Sequence, residues 1–123
     1  MNDNVNHPKH YAGRNIGYEC IDLAQHQTFC VGNAIKYLWR YKDKGNPTED
    51  LKKALWYARL AQKKLEPVYT EVGDCESILY LLVDSTAGNE RSAWVGLTLN
   101  DWQRTVEALD EMIKETRNEE QVG

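Results

Sequence analysis

Asn33, Lys36, Tyr37, Arg40 and Lys44 recur at steps of i, i+3, i+4, i+7 and i+11, the spacing that gathers side chains on one face of a helix. The set holds three cations, an amide and a phenol, and no carboxylate. Such a face suits an anion, phosphate above all, because ammonium and guanidinium groups bond phosphate oxygens directly. Phosphoryl transfer is mostly positioning and charge neutralisation, so a lysine and arginine clamp is admissible chemistry for it. Lys36 and Arg40 are the expected clamp, with Lys44 and Lys53 as outer contacts. Asn33 and Tyr37 would orient a base, a sugar or a phosphate oxygen. The chain has no GxxxxGK[ST] loop; Gly32 to Lys36 has the wrong spacing and falls inside a helical pattern. A solvated basic face on an ordinary helical hairpin has the same residue pattern.

Further polar groups invite comparison with known chemistries. His7 and His10, in HPKH, suit phosphate binding or acid–base work. A zinc site would draw on His26, Cys20 or Cys30 as well, but no recognised ligand spacing supports one, and no metal site is expected. Glu19 and Asp22 lie one helical turn apart and, with Glu49 and Asp50, resemble part of a Mg²⁺-binding set. The all-α pyrophosphohydrolases need more carboxylates than this half supplies, and capping roles suffice for Glu49 and Asp50. Trp56 and Tyr57 lie off the apolar stripe of their helix among Lys52, Lys53, Arg59 and Lys64. There they would stack on a base or bury in a subunit interface, the interface being favoured for Trp56.

The elements that position these groups follow from periodicity. Residues 1–17 read as an extended arm, since Pro8, Gly13 and Gly17 oppose regular helix. A short helix is expected over 18–27. A second helix, 29–42, is capped by Thr28 and has Val31, Ala34, Ile35, Leu38 and Trp39 on its apolar side. A third, 49–65, is capped by Thr48 and carries Leu51, Ala54, Leu55, Ala58, Ala61 and Leu65 on one stripe. Together they predict a helical hairpin. After Pro67 the run Ile78 to Val83 suits either a buried strand or mid-helix; of the two, a β-hairpin of strands 77–83 and 92–98 is preferred. A last helix is expected over 101–117, with NEEQVG as a frayed tail. The fold class expected is mainly α: a hairpin with an N-terminal arm and short helix, plus a C-terminal α or ββα appendage. The expected division is 1–66 and 67–123.

Charge divides along the same line. Residues 1–66 carry 11 Lys/Arg against 7 Asp/Glu, net +4, and residues 67–123 carry 4 against 12, net −8. A basic half suits an anionic ligand, while the acidic half opposes the continuous basic surface that extended nucleic acid needs. Three cysteines make no even disulfide set and no CxxC pair, which favours a reducing cytoplasm. No apolar run is long enough for a membrane span, and no membrane partner is expected.

Four blocks in fixed order, VNHPKHY (5–11), YECID (18–22), FCVGNAIKYLWRYKDKG (29–45) and EDLKKALWYARLA (49–61), resemble a phage family of unknown function, DUF3310. Some of its members are described as nucleotide kinases, the T7-type phage member among them. The resemblance covers residues 5–66 and implies a phage protein in the cytoplasm of a bacterial host. It further implies a nucleotide ligand and a deoxynucleoside monophosphate kinase with ATP as phosphoryl donor, the need for Mg²⁺ being open. In that reading Lys36 and Arg40 stabilise the transferring phosphoryl group with help from His10. His7, Tyr11, Asn33, Tyr37, Lys44 and Lys53 would bind the ligand, with the arm folding over it. The alternatives are a non-catalytic protein that sequesters a nucleotide or nucleotide-derived signal, or one that binds a host protein or nucleic acid. A homo-oligomer is expected because two helices alone make a thin core.

Overall fold

In the computed structural model, which describes residues 14–43 and 45–122, six helices follow one another: α1 Cys20–Ala24, α2 Phe29–Arg40, α3 Pro47–Lys64, α4 Cys75–Ser85, α5 Gly88–Thr98 and α6 Trp102–Val122. The fold is mainly α, with no strand among the described residues. The α2–α3 hairpin forms as the periodicity requires. α2 buries Val31, Ala34, Ile35, Leu38 and Trp39 together with Cys30, and α3 buries Leu51, Ala54, Leu55, Ala58 and Ala61. Leu65 departs from the expected stripe. It closes α3 in the left-handed region (φ 58°), its N–H reaching the carbonyls of Ala61 and Gln62, and its side chain is 85% exposed. The cap at the other end of α3 is Asn46, whose side chain accepts from the Glu49 N–H at 3.3 Å. Pro47 then takes the first helical position, so the helix is capped two residues before the expected Thr48.

The preferred β-hairpin is replaced by helices α4 and α5. Cys75, Ile78, Leu79 and Leu82 are buried at helical spacing, whereas Tyr80 and Leu81 within the same apolar run face solvent. The run therefore supplies one helical face plus surplus apolar residues, which is why its composition resembled a strand. Likewise Glu90, Ala93, Trp94 and Leu97 form the buried face of α5. α6 extends five residues past its expected end, to Val122, and the Thr48 hydroxyl donates to Glu120 near that end at 2.7 Å.

Helices α2 and α3 pack together, α6 packs on both α3 and α5, and α4 packs on α5. One hydrophobic core draws on both parts of the chain, and Trp39 of α2 meets Trp94 of α5 edge-on with centroids 6.4 Å apart. Between α3 and α4 the chain lacks regular structure, so two side-chain amides hold it instead. Gln27 exchanges two 2.8 Å hydrogen bonds with the Tyr69 backbone, and Asn100 bonds both the N–H and the carbonyl of Val68. Close approach of α5 to α6 depends on Gly96, where a Cβ would meet the Thr105 hydroxyl at 2.2 Å.

Candidate functional site

The helical hairpin turns the polar face of α2 and the adjoining face of α3 into one surface, because Tyr37 and Tyr57 stack with rings 8° from parallel and centroids 6.1 Å apart. Three cations surround the Tyr37 ring. Lys36 Nζ lies 5.0 Å from its centroid, Arg40 Cζ 4.8 Å and Lys53 Nζ 5.4 Å. Each is within cation–π range, but gathering like charges around one ring also raises a local positive potential. Tyr57 continues the surface, edge-on to Phe29 at 5.9 Å and to Trp56 at 5.0 Å. Phe29 is 73% and Trp56 62% exposed, so the aromatic row ends in two solvent-facing rings.

Lys36, Tyr37, Arg40 and Lys53 are therefore brought together. Asn33 lies on the same helix face, but its amide nitrogen donates to the Phe29 carbonyl at 2.8 Å, so that donor is already engaged within α2. His7, His10, Tyr11 and Lys44, the remaining expected site residues, lie outside the described residues.

Two carboxylates at this face were not expected as site residues. Asp50, from the first turn of α3, places Oδ2 3.6 Å from Arg40 Nε, and Glu49 Oε1 lies 3.4 Å from Lys53 Nζ. The absence of acid from the polar stripe of α2 holds for that helix and fails for the surface, since the hairpin sets the start of α3 beside the end of α2. The signal was available: acids favour the first turn of a helix, and a short connection puts that turn opposite the last turn of the helix before it. The Glu49–Lys53 pair is exposed and adds little. The Arg40–Asp50 pair is different, with side chains only 16% and 7% exposed. Arg40 Nε and Asp50 Oδ2 are buried and make no hydrogen bond among the described residues.

Other candidate groups resolve into structural roles. Glu19 and Asp22 form a capping box at α1, with the Glu19 N–H donating to the Asp22 carboxylate at 2.8 Å. Cys20, Cys30 and Cys75 are free and buried. Burial pushes all three thiols up, Cys20 to about 12, which leaves them protonated and unreactive at neutral pH. His26 packs against Gly73, whose Cβ would lie 2.9 Å from Nε2. No group of three His, Cys, Asp or Glu among the described residues is arranged to hold a metal ion. No described helix is long and apolar enough to cross a membrane.

A cleft of about 850 Å³ lies elsewhere, between the end of α2, the α4–α5 turn and α6. Its walls include Asp84, Glu90, Glu115 and Glu119 against Lys42 and Arg91, a net acidic lining that disfavours phosphate. Beneath it Glu90 is enclosed by partners. Arg14 donates to its carboxylate, as do Tyr41 at 3.0 Å and Trp94 at 3.1 Å, and Lys42 Nζ lies 3.4 Å away. Arg14 also donates to the Leu38 and Trp39 carbonyls at 2.8 and 3.0 Å, satisfying the end of α2. Burial alone would raise the Glu90 carboxyl, but the charge and hydrogen bond of Arg14, with Trp94 and Lys42, hold it below the ordinary value. The Tyr41 phenol is raised by its burial and by the neighbouring Glu90 charge.

Comparison with curated proteins and with solved structures finds no match. Residues 5–59 match the family model described as a protein of unknown function, DUF3310. Every residue of the cationic and aromatic face lies within that match, whereas Glu90 and the acidic cleft lie mostly beyond it. Over residues 5–59, somewhat less than half of its length, the chain is similar to the DUF3310 family.

Proposed function

We propose that the chain binds a nucleotide on the α2–α3 face, with its phosphate at Lys36, Arg40 and Lys53 and its base against the aromatic row. The observation that carries this reading is the convergence of three cations on the Tyr37 ring, beside the exposed Trp56. Phosphate relieves the crowding of positive charge, and a base offers a π-face to an aromatic side chain. In this reading the chain is a phage protein working among the nucleotides of its host's cytoplasm. Its catalytic form is a deoxynucleoside monophosphate kinase. A phosphate oxygen of the bound monophosphate attacks the γ-phosphorus of ATP, the bond to the β-phosphate oxygen breaks, and nucleoside diphosphate and ADP leave. Lys36 and Arg40 would neutralise charge on the transferred group. A sequestering protein would use the same face and release its ligand unchanged.

A thermal-shift screen against nucleoside mono-, di- and triphosphates tests binding. Incubation of hits with ATP, with and without Mg²⁺, then separates the two forms by product. Stabilisation by nucleotides that Arg40→Ala weakens markedly in a folded protein is the expected result; unchanged affinity in that variant would remove the basic face from the account. Exposure of Phe29 and Trp56 favours a second reading, in which this face docks a second copy of the chain or another protein. Absence of any nucleotide shift, with a concentration-dependent mass that Trp56→Ala abolishes, would select it.

A further inference from the structure

Buried ions ordinarily satisfy one another with hydrogen bonds, because an imperfect pair recovers little of its desolvation cost. Arg40 and Asp50 do not: their facing atoms, Nε and Oδ2, are buried, 3.6 Å apart and without hydrogen bonds among the described residues. As a stabilising device this is poor design. As a means of holding a cation in place it is effective, since the carboxylate restrains Arg40 on one side and the Tyr37 ring on another, 4.8 Å from Cζ. Resting on the nucleotide-binding reading, we propose that Asp50 is a positioning residue of the anion site. It sets Arg40 beside Lys36 and Lys53 before ligand arrives, and it leaves the guanidinium without the saturating contacts that would compete with phosphate.

Several features of the fold fit that role. Asp50 comes from the first turn of α3, where the helix dipole favours negative charge, so the acid is suited to its place without close bonds from Arg40. It is one turn from Lys53, so one short stretch of helix carries both the restraint and a second cation. An arginine already held in place loses less conformational freedom on binding than one that must be recruited from solvent.

The sign of the effect separates positioning from simple charge. Asp50 is an anion in an anion site, so by Coulomb's law alone Asp50→Asn should tighten phosphate binding. Positioning requires the opposite. The test is calorimetric titration of the full chain with inorganic pyrophosphate, for the wild type, Asp50→Asn, Arg40→Ala and the double variant, each first shown to be folded. Asp50→Asn should weaken binding about tenfold, within the range of coupling between neighbouring groups, and should have no further effect once Arg40 is alanine. Should Asp50→Asn fail to fold, Asp50→Glu keeps the charge and displaces the carboxylate, and it should weaken binding about threefold. Unchanged or tighter binding in the folded variant, or equal losses with and without Arg40, would overturn the positioning role while leaving the nucleotide reading intact. A wild type that binds neither pyrophosphate nor any nucleotide would overturn both.

Discussion

Two arginine–carboxylate pairs sit at the C-terminal end of α2, and they are built in contrasting ways. Arg14 and Glu90 are bonded directly, and around them Tyr41, Trp94 and the carbonyls of Leu38 and Trp39 take up the remaining hydrogen-bonding capacity. Arg40 and Asp50 are also largely buried, yet they face one another at 3.6 Å without a hydrogen bond. The first pair joins the family segment to the helices beyond it and behaves as structure. The second lies among the cations gathered on the Tyr37 ring, and in the proposed reading it serves a ligand. Burial alone therefore says little about what an ion pair is for; the count of satisfied bonds around it says more.

The largest expected consequence concerns the saturated pair. Glu90→Ala strands the Arg14 guanidinium and removes the acceptor for Tyr41 and Trp94, and should cost about 3–5 kcal/mol in denaturant unfolding. Asp50→Ala should cost about 1 kcal/mol, since fewer bonds are lost and Arg40 keeps its contact with Tyr37. Equal losses would erase the distinction between the pairs.

The pH dependence sharpens the same contrast. Glu90 is held below its ordinary value when folded, so the unfolded chain binds its proton more readily. The stabilisation is complete above the ordinary carboxyl range, near about pH 4.3, and is lost as pH falls through the lowered folded value. Glu90→Gln should flatten that acid limb in unfolding experiments, leaving a less stable protein whose stability changes less with acid. The smallest stability effect belongs to Lys53, whose pairing with Glu49 is exposed. Lys53→Ala should shift stability by less than about 0.5 kcal/mol, yet weaken nucleotide binding several-fold.

The sequence made the hairpin legible because α2 and α3 each keep one clean apolar stripe, and it made the cationic face legible because Lys36, Tyr37 and Arg40 share one helix. It hid whatever depends on two elements at once. Asp50 looked like a helix-start acid until α3 folded back beside Arg40. Tyr57 gained its meaning from stacking on Tyr37. Glu90, in a segment whose periodicity suggested loop and strand, became the partner of Arg14 only through tertiary packing. The failed hairpin has a similar cause: Tyr80 and Leu81 are apolar but exposed, and their presence filled the gaps that would have revealed a helical period.

Calorimetric titration with each 2′-deoxynucleoside 5′-monophosphate and its parent nucleoside tests the central claim most directly, in the wild type and in Lys36→Ala/Lys53→Ala. At least one monophosphate should bind about tenfold or more tightly than its nucleoside, and the double variant should remove that advantage while remaining folded. Equal binding of nucleotide and nucleoside, or no binding of any monophosphate, would contradict a phosphate site on the α2–α3 face.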